Sequence, residues 1–400
     1  MDEATSRSDH PAGLLRSRSD GGGRVTNIEL FFDLVFVYAV TQLSHTLLHH
    51  LDGAGALRVL LLFLAVWWVW VFTGWVTNWL DPERIAVRLL LLGLMLAGLL
   101  LSSALPEAFG AHALLFAGAY VSMQLGRTVF MLWALGRHAP ANRRNFQRIG
   151  AWLAVSGVLW LAGGWLRGAL QLPLWAAALV LEYAGPAAGF RVPGMGRSRT
   201  SDWDVEGGHL AERCSLFVII ALGESVLATG SSFAEAGWSA SAVSAFVGAF
   251  VGCVAMWWIY FDLGAERGSR SIRASADPGR KARLAYTYLH LLIVGGIIVC
   301  AVADELSLSH PQAPAAPATA AVLLGGPMLY LLGNALFKKT VNDTHWPLSH
   351  LVGLGLLALA AMPAARLPVL GLALFSSAVL ALVAVWETLS LRSLRRALAE

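Results

Sequence analysis

Charge is scarce in this sequence. Only 14% of its 400 residues are Asp, Glu, Lys or Arg, against about a quarter in soluble domains, and a water-soluble globule is excluded. Cysteine is rarer still. Cys214, Cys253 and Cys300 each stand alone in an apolar run, so neither a CxxC metal site nor a disulfide framework is available. Walker, dinucleotide-binding, GxSxG and HExxH patterns are all missing, which removes nucleotide sites and familiar hydrolases and implies no cofactor. What the chain has in quantity is apolar surface: 57% hydrophobic residues and 16 Trp, with mean hydropathy +0.62. That composition belongs to a polytopic membrane protein whose main partner is the lipid bilayer. The net charge of +4 does not imply nucleic acid, because the basic residues cluster in short segments between apolar runs.

Residues 1–24 are rich in Ser, Arg, Asp and Gly and lack an apolar core. They read as a disordered cytoplasmic tail and not as a cleaved signal peptide. Runs of about 20 apolar residues cross the hydrocarbon core. Twelve are expected, at 28–50, 57–79, 84–105, 112–135, 149–167, 171–190, 209–231, 239–262, 284–304, 318–337, 346–363 and 367–390. The fold class is therefore all-α, a helical membrane bundle. One side of these spans collects nearly all the Lys and Arg, including Arg16, Arg84, Arg88, the group at 137–148, Lys338 and Lys339; the other side receives only Arg58, Arg167 and Arg366. This asymmetry places both termini in the cytoplasm.

The two halves resemble each other. Trp67-Trp68-Val69-Trp70 in span two matches Trp257-Trp258-Ile259-Tyr260 in span eight, and Leu125-Gly126-Arg127 in span four matches Leu332-Gly333-Asn334 in span ten. Leu172-Pro173-Leu174 matches Leu367-Pro368-Val369, and Glu29 with Thr41 matches Glu212 with Glu224 at the same separation. The order is conserved between halves. It predicts two parallel six-helix repeats, at 25–190 and 209–390, joined by a cytoplasmic linker at 191–208 and followed by a tail at 391–400.

Ionisable groups inside the spans are the candidate functional residues, since charge in a bilayer is costly and turns toward protein or water. Glu29 and Asp33 lie one helical turn apart on the same face. Glu29 also fits a capping box with Thr26. Glu182, Glu212, Glu224, Asp262 and Glu387 follow, with Arg127 and Arg213 as the cations at comparable depth. Glu212-Arg213 has the alternative of a self-contained interfacial pair. Asp262, Glu387, Asp304 and Glu305 sit near span ends and read as solvated. Arg127 is expected to neutralise one carboxylate from a neighbouring span. Asn334 replaces it in the second half, so a second carboxylate cluster there, centred on Glu224, would hold a proton or cation. Gly223 either breaks span seven beside Glu224 or packs tightly on a neighbour. His45 and His49 have i,i+4 spacing, which suits a metal or an ordinary interfacial pair; no metal is assigned.

Two stretches resemble a known family. IELFFDLVFV (28–37), continuing to TQLSH (41–45), is similar to the opening of the low temperature requirement protein A family; HLAER (209–213) with LFVIIALGES (216–225) is similar to its second signature. The departure is Cys214-Ser215, where the family pattern has a small or aromatic residue followed by Gly. The resemblance implies a bacterial multipass protein of the cytoplasmic (inner) membrane and no established reaction. Carboxylates and repeat together point to a transporter or channel for a small cation or proton-coupled solute. The alternatives are an intramembrane enzyme acting on a lipid or apolar substrate, and a membrane sensor or scaffold.

Overall fold

The computed structural model describes residues 11–16, 25–136, 139–198, 206–262, 278–342 and 346–390. Most of the expected N-terminal tail, the tail at 391–400, part of the 191–208 linker, and Arg267, Arg270 and Arg273 lie outside the described residues. Among those described, the secondary structure is helical, with isolated β-bridges and no strand.

The principal helices are α1 (Asn27–His49), α2 (Gly53–Thr77), α3 (Ile85–Ala104), α4 (Ala113–Leu135), α5 (Pro140–Leu166) and α6 (Gln171–Ala184), then α7 (Gly207–Ala236) and α8 (Ala240–Phe261). Next comes α9, which opens as a short α-helical piece (Pro278–Ala282), passes through a π-helical stretch (Arg283–Leu289) and continues as α-helix (His290–Ser309). The chain closes with α10 (Pro317–Asn342), α11 (Leu348–Ala360) and α12 (Val369–Ser390).

Nine helices among the described residues are long and apolar enough to cross a membrane. The other three are α4, α6 and α11. Arg127 and Gln124 lower the apolarity of α4. Gly185 and Pro186 end α6 after 14 residues, six short of the expected span, because Pro186 has no N–H with which to continue the helical ladder. Pro347 stands at the N-cap of α11 in extended geometry, and Pro363 lies three residues past its end. At the other extreme, α5 begins nine residues before the apolar run, at Pro140, whose fixed φ suits a first helical position.

The chain divides into two compact units, one of residues up to Gln42 with Leu60–Leu210, the other of Leu43–Val59 with the residues from Ala211 onward. In the first, α4 packs against α3 and α5, and α5 against α6. Tyr120, Trp160 and Trp175 interlock there, with neighbouring ring centroids 4.6 and 5.0 Å apart. In the second unit, α9 lies along α10 and α8 along α12. The α9–α10 seam depends on glycine. A Cβ on Gly296 would stand 2.6 Å from the Tyr330 amide nitrogen, and one on Gly326 would stand 2.9 Å from that of Cys300. Backbone cannot yield as a side-chain tip can. Gly296→Val is therefore expected to destabilise the protein by about 3 kcal/mol, read as a lower unfolding midpoint in detergent; an unchanged midpoint would show that the seam is slack.

Of the two expectations for Gly223, the break is not met, and the continuous helix is met without the tight packing. Helix α7 runs unbroken through it, and a Cβ at this position would meet nothing within 4 Å. The irregular helices are α9, with its π-helical stretch, and α10, which contains Pro327.

Candidate functional site

Glu182 and Arg127 come together, but not as a direct pair. Tyr120, Gln124 and Arg127 recur at i, i+4 and i+7 on α4 and so share a face. Ser156 and Trp160 do the same on α5. The Glu182 carboxylate, buried on α6, sits between these two faces. Its Oε2 accepts hydrogen bonds from the Tyr120 hydroxyl and from Gln124 Nε2 (3.2 Å). Its Oε1 accepts from Ser156 Oγ (2.7 Å) and Trp160 Nε1 (3.1 Å). Gln124 turns its carbonyl oxygen the other way, to Arg127 Nη2. Arg127 Nη1 donates to the Val69 carbonyl (3.1 Å) and Thr73 Oγ1 (2.8 Å) on α2, and the guanidinium stands 5.8 Å from the Phe72 ring centre. A glutamine thus relays between a buried cation and a buried anion. Its two ends suit that task, one accepting and one donating.

Asp33 is buried on α1, and its Oδ1 accepts from Trp70 Nε1 at 2.7 Å. Glu29, a turn earlier, belongs to another network. Its Oε2 accepts from the Thr26 amide (3.0 Å) and hydroxyl (2.9 Å), so the glutamate half of the capping box forms, while the Glu29 amide donates to the Thr26 carbonyl and not to its hydroxyl. The same oxygen also pairs with Arg16 at 2.9 Å, and Oε1 lies 2.8 Å from His209 Nε2. Asn78 is oriented by Glu206, donating Nδ2 to its carbonyl and accepting its amide at Oδ1. Nδ2 therefore faces His209 Nδ1 at 3.3 Å as a donor, and Arg16 Nη2 stands 3.3 Å from Nε2, so both ring nitrogens have a donor beside them and Glu29 supplies the acceptor at Nε2. Arg16 is anchored independently, donating Nε to the Thr77 and Leu80 carbonyls at 3.0 Å. Residues Pro11–Arg16, inside the stretch read as a disordered tail, are thus held against the end of α2.

In the second unit Arg213 is buried on α7, whereas Glu212 and Glu224 are partly exposed. At 1.5 Å and 100° per residue, the two glutamates of this continuous helix stand about 18 Å apart and about 120° around it. A direct ion pair in this unit is one that sequence reasoning missed. Lys338 Nζ lies 2.7 and 2.6 Å from the two Glu387 carboxylate oxygens and donates to the Ile259 carbonyl at 2.9 Å. Glu387 is therefore paired, not solvated, and Lys338 is buried, not a loop cation. Together with Arg16 it reduces the carboxylate excess inferred from sequence. Asp304 also departs from expectation: α9 extends past it to Ser309, and it lines a small cavity.

Beside the π-helical stretch, His290 Nδ1 lies 2.8 Å from the Ala285 carbonyl, which only accepts, so this nitrogen donates. Its Nε2 meets the Tyr260 hydroxyl at 2.8 Å, and Ser215 Oγ stands 3.5 Å from the same hydroxyl. Asp52 caps α2, accepting the Gly55 amide at 2.7 Å. His45 and His49 are exposed, and among the described residues no three His, Cys, Asp or Glu gather as metal ligands.

Comparison with known proteins agrees with the motifs in α1 and α7. The chain is 40% identical over 385 residues to the uncharacterized protein RA0937 of Rhizobium meliloti (strain 1021), covering 96% of this chain and 94% of that one. No solved structure matches it. The family model for bacterial low temperature requirement A protein matches residues 24–385. With buried charge in apolar helices and both signatures in place, this chain is a multipass membrane protein belonging to the bacterial low temperature requirement A family.

Proposed function

We propose that this protein is a transporter or channel for a small cation or a proton-coupled solute, built from two parallel six-helix repeats, 25–190 and 209–390. One observation carries the reading. In the first unit Arg127, on the fourth helix, donates to the carbonyl of Val69 on the second. In the second unit Lys338, on the tenth helix, donates to the carbonyl of Ile259 on the eighth. Val69 and Ile259 are the corresponding residues of the two Trp-rich motifs. Each cation is then linked to a carboxylate from the last helix of its half, Glu182 through Gln124 and Glu387 directly. The recurrence of this device argues for duplication, and duplicated helical halves are a common transporter plan. Buried ionisable groups in membrane helices mark ion and proton paths by default.

On this reading Asp33, Glu182 and Glu224 are groups that carry a proton or meet the cation, Arg127 and Arg213 set the local potential, and Glu29 and Glu212 hold the helix starts. The protein sits in the cytoplasmic membrane with both termini inside. Reconstituted vesicles are expected to show a flux driven by a pH or cation gradient. Asp33→Asn should abolish at least about nine-tenths of it, because the amide oxygen still accepts from Trp70 while the charge is gone. An absence of flux across a broad panel of monovalent and divalent cations would overturn the reading.

A further inference from the structure

A cavity of about 20 Å³ lies where α8, α9, α10 and α12 meet, and Asp304 is the acidic residue in its wall. Pro327, also in the wall, has no N–H to offer the carbonyl four residues back, at Leu323. The Ser376 hydroxyl on α12 donates to that freed carbonyl at 2.9 Å. A carbonyl oxygen has a second lone pair, and the serine oxygen keeps its own acceptor capacity. Ser377 lines the same space. Ser225, buried on α7, faces the Asp304 carboxyl without a well-formed hydrogen bond. The cavity wall therefore offers one carboxylate, one backbone carbonyl and two hydroxyls within apolar helices.

Size and charge narrow the ligand. A single water needs roughly 10–15 Å³ by the same measure, so the cavity admits one water or one dehydrated ion of similar size. The donors are oxygen, which suits a hard cation. Two thiols also line the space: Cys253, whose sulfur is directed at the Leu222 carbonyl 3.7 Å away, and Cys300; as neutral thiols they are weak donors beside a carboxylate. A divalent ion asks for six or more oxygens and more negative charge than one carboxylate brings. Proline inside α10 frees the Leu323 carbonyl from the helical ladder, and carbonyls so freed are how membrane helices present oxygen to sodium. We propose that this cavity binds one dehydrated sodium ion, held by the Asp304 carboxylate, the Leu323 carbonyl and the hydroxyls of Ser376 and Ser377. The inference rests on the transport reading for its purpose, and there it names sodium as cargo or coupling ion.

Equilibrium binding of radiolabelled sodium to the purified full-length protein tests it. Saturable binding, competed by unlabelled sodium but not by choline, is expected for the wild type. Asp304→Asn should weaken it at least about tenfold, the loss of one charge-assisted contact. Ser377→Ala, a milder change, is expected to weaken it severalfold, and it keeps the test alive should Asp304→Asn fail to fold. No saturable binding to the wild type would mean that the cavity holds water only and would overturn the proposal. Affinity unchanged in the folded variants would overturn it equally. Flux measured on the same preparations separates the two claims. Sodium binding without flux of any ion removes transport and leaves the site; flux without sodium binding removes the site and leaves transport.

Discussion

Glu182→Ala is expected to cost about 3–5 kcal/mol of stability, because it strands a buried cation and its network. The substitution leaves Tyr120, Gln124, Ser156 and Trp160 without the acceptor they share. It also removes the one carboxylate linked to Arg127, whose guanidinium is buried among helices. Glu182→Gln should cost much less, since its amide oxygen still accepts two of the four bonds. Adding Arg127→Met to Glu182→Ala should recover part of the loss, with a coupling of about 1 kcal/mol or more. Full recovery is not expected, because four donors remain unmet. Denaturant unfolding of the detergent-solubilised variants gives these numbers. A Glu182→Ala protein as stable as the wild type would show that water reaches this carboxylate freely.

Lys338→Met should be comparably costly, at about 3–5 kcal/mol, but its repair should follow a different course. Lys338 and Glu387 contact each other directly, and few other donors converge on Glu387. Removing the lysine leaves an uncompensated carboxylate; removing both charges leaves neutral groups, among them the Ile259 carbonyl and the His350 ring. The double variant Lys338→Met with Glu387→Leu is therefore expected to return to within about 1 kcal/mol of the wild type. The same unfolding measurement decides it. A double variant as weak as the single would place the cost in the helix contacts and not in the charge.

These two networks were unequally visible in the sequence. Glu182 and Arg127 stand alone in apolar runs, and an isolated charge there signals a buried partner. The partner was legible as a type and not as a residue: Gln124, an ordinary polar side chain in the linear sequence, relays between them. Arg16 and Lys338 misled for the opposite reason. Each has polar or basic neighbours in sequence, so local composition reads it as solvated, whereas packing carries it against a buried carboxylate. Apolar runs located the helices well, since burial in lipid demands them. They did not locate the start of α5, which begins nine residues before its apolar run. Nor did they reveal the irregular helices equally. Proline announces itself at 327, but residues 283–289 contain no proline or glycine to mark a π-helical stretch.

That stretch stores a register shift. A π-helical turn accommodates one residue more than an α-helical turn over a similar rise, and the surplus is able to migrate by exchanging a few backbone hydrogen bonds. Each step rotates the residue it passes by about 100°. In α9 the surplus lies immediately before His290, whose ring bridges the Ala285 carbonyl and the Tyr260 hydroxyl. Passing it one position forward turns His290 out of both contacts, while the segment from Gly296 onward keeps its close fit against α10. Such a shift would turn one end of the helix and leave the other fixed by its close packing.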